Sequence, residues 1–376
     1  MRVINFSFSV LIILLLSSCG DDSSPTEPPP PGQTRSYYLG FTPLPHAVNI
    51  QALEYVYSKL ETDADIISHH LDDGVPWPEA LHGDSFHVNI MDDWNGRKNA
   101  TPATHKTFLS ITPIAITRDT IAPYRGETAD MPLPSPWDTY TFDHDSVKAA
   151  YLNYCRRAID FFNPDYCCIG IEVNLLIDTD PTLTQWDAYA ELHKYVYPRL
   201  KTEYPDLPIM LSFTGMDLVK GYTGANHADQ MSGFNDIINY TDYFGLSLHT
   251  MISVFMADSL PGSVFDNIFA LSTKPIAVCE TSFPSDTFSL QGGSLFFNGS
   301  ESKQVDFFDT LFNRCDAVEA EFIINFVLRD YDELWEWLGS PDDINKLWKD
   351  TGFYDEDGNP RQVLTPWKEK LALPVN

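Results

Sequence analysis

Eight short apolar runs, separated by longer stretches of helical period, are the feature that most restricts how this chain can fold. They are YYLGFTPL (Tyr37 to Leu44), ADIISHHLD (Ala64 to Asp72), KTFLSITPI (Lys106 to Ile114), YCCIGIEVN (Tyr166 to Asn174), PIMLSFTG (Pro208 to Gly215), DYFGLSLHT (Asp242 to Thr250), PIAVCETS (Pro275 to Ser282) and AEFIINFVLRD (Ala320 to Asp330). Between them, segments such as Asp145 to Phe162, Thr184 to Tyr204 and Ser302 to Ala320 carry apolar residues three and four apart, with Asp145 and Thr184 suited to N-caps. Apolar runs of strand length alternating with helices predict parallel strands joined by helical crossovers. Eight such units between Arg35 and Asn376 predict an α/β fold, a single-domain (β/α)8 TIM barrel with some enlarged loops. An open doubly wound sheet is the alternative, but no Gly-rich phosphate turn follows the first run. Hydrophobic residues make up 43% of the chain, enough for one large core.

The N-terminus is a separate matter. Residues 1–18 hold Arg2 and the apolar run VLIILLL, too short for a permanent membrane span, and read as an export signal. Leu16, Ser17, Ser18 and Cys19 resemble the lipobox of bacterial lipoproteins, and the resemblance implies cleavage before Cys19 and a diacylglycerol on its thiol. A plain signal peptide is the alternative. Residues 19–34, rich in Pro, Ser and acid, read as an extended tether before a catalytic domain over 35–376. The expected location is a bacterial membrane, outer membrane or cell surface, with the lipid on Cys19 as the only membrane contact. Five further cysteines (Cys155, Cys167, Cys168, Cys279, Cys315) lack zinc-like spacing and read mostly as small buried hydrophobes, with at most one disulfide whose pairing the spacing does not select.

Lys and Arg number 24 against 53 Asp and Glu, and the net charge of −29 argues against nucleic acid and against an anionic membrane surface as partners. In a barrel of this kind, chemistry belongs at the carboxyl ends of the strands. There the apolar runs give way to polar residues: His69, His70, Asp72 and Asp73 on the second, Glu172 and Asn174 on the fourth, His249 on the sixth, Glu280 on the seventh, Arg329 and Asp330 on the eighth. Glu172 and Glu280 each follow an apolar run, which desolvates a carboxyl and ties it to a rigid element. Two such acids suit glycosidic cleavage, in which one protonates the leaving oxygen and the other attacks the anomeric carbon or activates water.

The stretches IGIEVN and AVCETSFPS resemble the acid/base and nucleophile strands of the clan A glycoside hydrolases, with closest likeness to the family 53 endo-β-1,4-galactanases and their uncharacterised relatives. The resemblance implies Glu172 as acid/base, Glu280 as nucleophile, a retaining mechanism and a β-linked poly- or oligosaccharide substrate of β-galactan or β-mannan type. It also implies no cofactor. Where most clan members carry Asn just before the acid/base, this chain has Ile171, and Asn174 is the nearest Asn. His249 stands about where many members place a Tyr that holds the nucleophile.

Further substrate contacts are expected from His70 with Asp72, from Asn174 facing the same side as Glu172, from His249, and from Trp77 between two prolines as a stacking face. Arg329 and Asp330, with Asp332, Trp335 and Trp337, are expected as another wall of the cleft. His69 and His70, adjacent on a strand, face opposite sides and do not make a metal pair, so no metal is expected. A monomer is expected. Two rival functions stand beside the hydrolase: a surface glycan-binding protein without turnover, and a metal-dependent hydrolase centred on His69, His70 and His249.

Overall fold

The structure, a computed structural model, describes residues 33–256, 260–340 and 345–376. Its frame is a closed barrel of strands β1 (Tyr38–Phe41), β2 (Ile66–Leu71), β3 (Lys106–Ile111), β4 (Tyr166–Cys168), β5 (Ile209–Thr214), β6 (Phe244–Leu248), β7 (Ile276–Thr281) and β10 (Phe322–Asn325). Each strand pairs in parallel with its neighbours, and β10 closes the ring onto β1. A small antiparallel hairpin, β8 (Phe288–Leu290) and β9 (Leu295–Phe297), follows β7. The chain therefore folds as the (β/α)8 barrel that its alternating pattern predicts, with every barrel strand inside one of the eight apolar runs.

Each strand is buried on both faces, and residue parity divides its side chains between two cores. Ile67, Leu109, Cys167, Leu211, Leu246, Val278 and Ile323 belong to the large core beneath the helices, whereas Ile66, Phe108, Cys168, Met210, Ala277, Cys279 and Ile324 fill the barrel interior. Following the interior parity along β2, β3 and β5 leads from Ile66, Phe108 and Met210 to the buried Ser68, Ser110 and Ser212, then to His70, Thr112 and Thr214. The interior thus becomes polar toward the carboxyl ends of the strands. Gly245 is required on β6, because a Cβ there would lie 2.4 Å from the backbone oxygen of Leu211.

Helix Asp145–Phe162 forms where its period predicts, and Thr184–Glu203 and Glu301–Ala317 fall within a few residues of expectation. Their caps differ. Asp145 is already helical, and the ring of His144 accepts the bond from the Ser146 amide. Thr184 is likewise inside its helix, which starts after a left-handed Leu183 and is tied by the Asp180 carboxylate accepting from the Gln185 amide. All five described cysteines are buried and unpaired. The export signal, Cys19 and most of the tether lie outside the described residues; among those described, no helix is long and apolar enough to cross a membrane.

Trp77 corrects one expectation. Its side chain is wholly buried, its indole N–H donates to the Ala122 carbonyl at 2.9 Å, and its ring stacks on Trp137 at 5.6 Å. The flanking prolines that suggested a rigid display loop instead start the helix Trp77–His82 that wedges this side chain into the core. Trp77→Ala is expected to cost about 3–5 kcal/mol of stability by leaving a cavity; urea unfolding of the variant measures it.

Candidate active site

The carboxyl ends of the strands open into a cleft of about 960 Å³, and His70, Asp72, Glu172, His249 and Glu280 line it. Glu280 reaches the cleft through an irregularity in β7. Ala277 and Cys279 face the barrel interior, so plain alternation would turn residue 280 toward the helices. Pairing with β6 instead steps from Leu246–Val278 to Ser247–Glu280, and pairing with β10 steps from Ile323–Val278 to Asn325–Thr281. One extra residue in β7 is a β-bulge, and it returns the following side chain to the interior face.

Glu172 arrives by a different device. Regular pairing of β4 ends at Cys168, and the backbone of Glu172 is left-handed with φ +48°. For a residue with a Cβ this conformation costs roughly 1–2 kcal/mol, so the surroundings must enforce it. The Glu172 amide donates to Ser212 Oγ at 2.9 Å, and the Val173 amide donates to the Ser212 carbonyl at 3.0 Å. Two residues on, Asn174 Nδ2 donates to Thr214 Oγ1 and to Gln230 Oε1, both at 2.9 Å, while its Oδ1 accepts from the Thr214 amide at 2.9 Å. Asn174 is therefore fully buried and ties the Glu172 loop to the end of β5; it does not face the cleft as expected.

One carboxylate oxygen of Glu172, one of Glu280 and a ring nitrogen of His249 lie within 4.8 Å of one another. His249 Nε2 is 3.6 Å from Glu280 Oε2, and its Nδ1 is 2.9 Å from Ser282 Oγ. Burial pushes the Glu280 carboxyl up, but the His249 hydrogen bond and charge, with His70 and Arg118, outweigh it and hold the group below its usual range. The same pair acts on His249, where burial lowers and Glu280 and Glu172 raise, with a net rise. The two groups thus form a buried pair in which each favours the charged form of the other. On the other side, Arg118 is buried between two acids, with Nη2 at 3.1 Å from Glu172 Oε2 and Nη1 at 3.4 Å from Asp72 Oδ2.

Other expected contacts fall elsewhere. His69 is buried on the helix side of β2, with Nε2 3.1 Å from Thr101 Oγ1 and its ring against Phe162, which parts it from His70. Arg329 is outside the cleft lining: its guanidinium sits 4.9 Å from the centre of the Tyr55 ring and donates to the Glu356 carbonyl, not to a neighbouring acid. Asp330 is buried, accepts from the Gly352 amide at 2.7 Å and pairs with Arg361, so it closes the polar underside of the C-terminal segment. Trp335 is packed in a core with Leu44 and Leu334, and Trp337 is exposed outside the cleft lining. The aromatic group that does line the cleft beside His249 is Trp348, its ring 5.8 Å from that of the histidine. Arg118 and Trp348 were not singled out from sequence. Arg118 lies in a loop without periodicity, and Trp348 comes from a short C-terminal helix (Lys346–Lys349), so no local pattern marked either.

With this geometry in view, comparison with known proteins finds solved structures that share the barrel fold. No protein-family model matches the sequence, and no curated protein matches it. The chain is similar in structure to the exo-β-1,4-mannosidase Op5Man5 from Opitutaceae bacterium strain TAV5, at TM-score 0.59, 12% identity and 90% coverage of this chain. It spans 60% of that mannosidase's length. A GH5_18 variant from Bifidobacterium longum subsp. longum ATCC 55813, solved in complex with Manβ1-4GlcNAc, gives 0.60 at 12% identity, covering 90% of this chain and 80% of the other. An endo-laminarinase from Formosa Hel1_33_131 gives 0.54 at 15% identity, covering 90% and 88%. At such identities the likeness is one of fold.

Asp72 offers a test of the site's electrostatics. Burial pushes its carboxyl up to about 6 from an ordinary 3.8, with Arg118 and His70 opposing and Glu172 and Asp73 adding. The folded protein then holds this proton more tightly than the unfolded chain, so the group's contribution to stability is present below its unfolded value of 3.8 and lost as the pH rises through about 6. Relative to Asp72→Asn, wild type is expected to lose about 2–3 kcal/mol of unfolding free energy between roughly pH 4 and 7. Urea unfolding of both proteins across that range checks it.

Proposed function

We propose that this protein is a retaining glycoside hydrolase acting on a β-linked glycan, of galactan or mannan type, with Glu280 as nucleophile and Glu172 as acid/base. The observation that carries this reading is the approach of the Glu172 and Glu280 carboxylates to within 4.8 Å in the cleft. Retaining enzymes keep the two carboxyls about 5–5.5 Å apart, whereas inverting enzymes leave roughly 6.5–9.5 Å for a water. An approach of single oxygens to within 4.8 Å supports the first arrangement.

Glu280, held ionised by His249, attacks the anomeric carbon and forms a glycosyl ester as the bond to the leaving oxygen breaks. Glu172 gives its proton to that oxygen, then takes one from the water that hydrolyses the ester. While Glu172 carries a proton, Asp72 gives Arg118 a carboxylate partner at pH above about 6, so the buried guanidinium is not stranded there. Substrate contacts from His70, Asp72 and His249 belong to this proposal. So do the lipid anchor on Cys19 and a place on a bacterial membrane or cell surface, which would put the cleft within reach of external glycan.

A second reading has one observation in its favour. Glu172, His249 and Glu280 also have the donor types and spacing for a divalent ion, so a metal-dependent hydrolase would centre on them rather than on His69. Activity abolished by a chelator and restored by Zn²⁺ supports that reading over the first.

Hydrolysis of a panel of β-glycans led by galactan and mannan tests the proposal. Glu172→Gln is expected to lower kcat by about 10²–10⁴-fold on polymer. Glu280→Gln is expected to abolish turnover, and the wild-type product should first appear with retained anomeric configuration. Binding of a glycan without turnover across the panel supports a receptor instead. Replacing His249 by Gln removes the main groups that offset burial at Glu280, so its carboxyl titrates higher. Because the nucleophile works ionised, the acid limb of the kcat/KM profile should move to higher pH, read on whichever substrate the panel identifies.

A further inference from the structure

We infer that the cleft selects uncharged glycan chains and rejects those bearing carboxylate or sulfate at the sugars it holds. The inference rests on the proposed glycan-cleaving role and names the chemistry of its substrate. Besides Glu172 and Glu280, the cleft is lined by Asp72, Asp92, Asp93, Asp178 and Asp217. The arginines in its lining are Arg97 and Arg118, and both are committed to acids of the protein itself. Arg97 Nε donates to Asp93 Oδ2 at 2.9 Å, and Arg118 bridges Asp72 and Glu172. His249 is tied to Glu280 and Ser282.

On the far wall, Asp178 accepts from Gln230 at 3.0 Å and Asp217 from Thr214 at 2.7 Å, neutral donors that leave both charges uncancelled. Burial pushes the Asp178 carboxyl up, the Gln230 hydrogen bond opposes the rise, and the nearby Asp217 adds to it. Among the described residues no lysine lines the cleft.

A uronate or sulfate entering such a site would find no arginine or lysine of the lining free to pair with it, the imidazole of His70 being the remaining basic side chain there. It would instead stand near carboxylates in a partly desolvated space, where repulsion between like charges is larger than in water. Hydroxyl groups meet no such penalty, because carboxylates accept their hydrogen bonds directly. The net charge of −29 acts in the same direction at longer range, against any polyanionic chain.

The test is binding of the full chain, as wild type and as Glu280→Gln, to neutral β-mannan and β-galactan oligosaccharides and to a β-linked glucuronan and a sulfated galactan of matched length. Calorimetry gives affinities and product analysis gives turnover. The neutral chains are expected to bind at least roughly tenfold more tightly than the anionic ones, a low estimate for one like-charge contact in this setting. The preference should shrink in about 0.5 M salt, which cuts the Debye length to about 4 Å, and in Asp178→Asn/Asp217→Asn. Anionic chains bound as tightly as neutral ones, or turned over as fast, overturn the inference while leaving a glycoside hydrolase standing. Neutral chains bound selectively but never cleaved support the inference and overturn the hydrolase. Binding of neither class overturns both.

Discussion

Every barrel strand is buried on both faces, and that constraint decides where this chain can carry charge. Ionised groups inside the barrel would lose hydration with nothing to replace it, so the interior stays apolar or small from Ile66, Phe108 and Phe322 upward. Charge becomes tolerable only at the mouth, where water and partner groups are within reach. The site is therefore crowded onto one rim by the same physics that fills the core. What distinguishes this rim is how much the backbone departs from regularity to supply it: a bulge in β7 turns Glu280 inward, and a left-handed residue after β4 does the same for Glu172. Both departures need support, and Ser212, Thr214, Asn174 and Gln230 supply it around Glu172 with a closed set of hydrogen bonds.

The electrostatics of the mouth follow from pairing. Glu280 faces a histidine whose second nitrogen is fixed by Ser282, while Glu172 shares a single arginine with Asp72. The two carboxylates therefore have different partners at nearly the same depth. That asymmetry lets one act as a base-like nucleophile and the other exchange a proton, as the proposed mechanism requires. It also commits Arg118 and His249, so Asp178 and Asp217 on the far wall are left with neutral hydrogen-bond donors.

Much of the fold was legible because two-sided burial leaves a strong mark in sequence. Eight apolar runs survived as eight strands, and their order predicted the barrel directly. Asp145–Phe162 was legible to the residue because its period is unbroken. The rim was legible in outline, as His70, Asp72, Glu172, His249 and Glu280 do meet in one cleft. Orientation was not. Asn174 shares strand parity with Glu172 on paper, yet β4 ends at Cys168, and beyond that point alternation says nothing. Glu280 presents the opposite case: its position was anticipated although strict alternation from Cys279 would have turned it outward. Periodicity cannot reveal a bulge whose extra residue, Cys279, is itself apolar and buried.

Asp330 and Trp77 show why a residue's chemical type is a poor guide to whether it faces a cleft. An acid at the end of the eighth strand looks functional, but the segment Asp350 to Arg361 folds over that edge, supplies Arg361 and the Gly352 amide, and makes Asp330 a structural anchor. Burial lifts its carboxyl to about 7 even so, since desolvation exceeds what one arginine returns. A strongly shifted acid is thus found both inside the cleft, at Asp72, and outside it, at Asp330. Only the surroundings separate them: Asp72 shares its arginine with a second carboxylate across open space, whereas Asp330 has its lone pairs filled by its own backbone and side-chain neighbours. A shifted acid becomes a candidate for chemistry when its partner is also claimed by a neighbour and space remains for a third group; Asp72, whose Arg118 is also held by Glu172, meets that condition here.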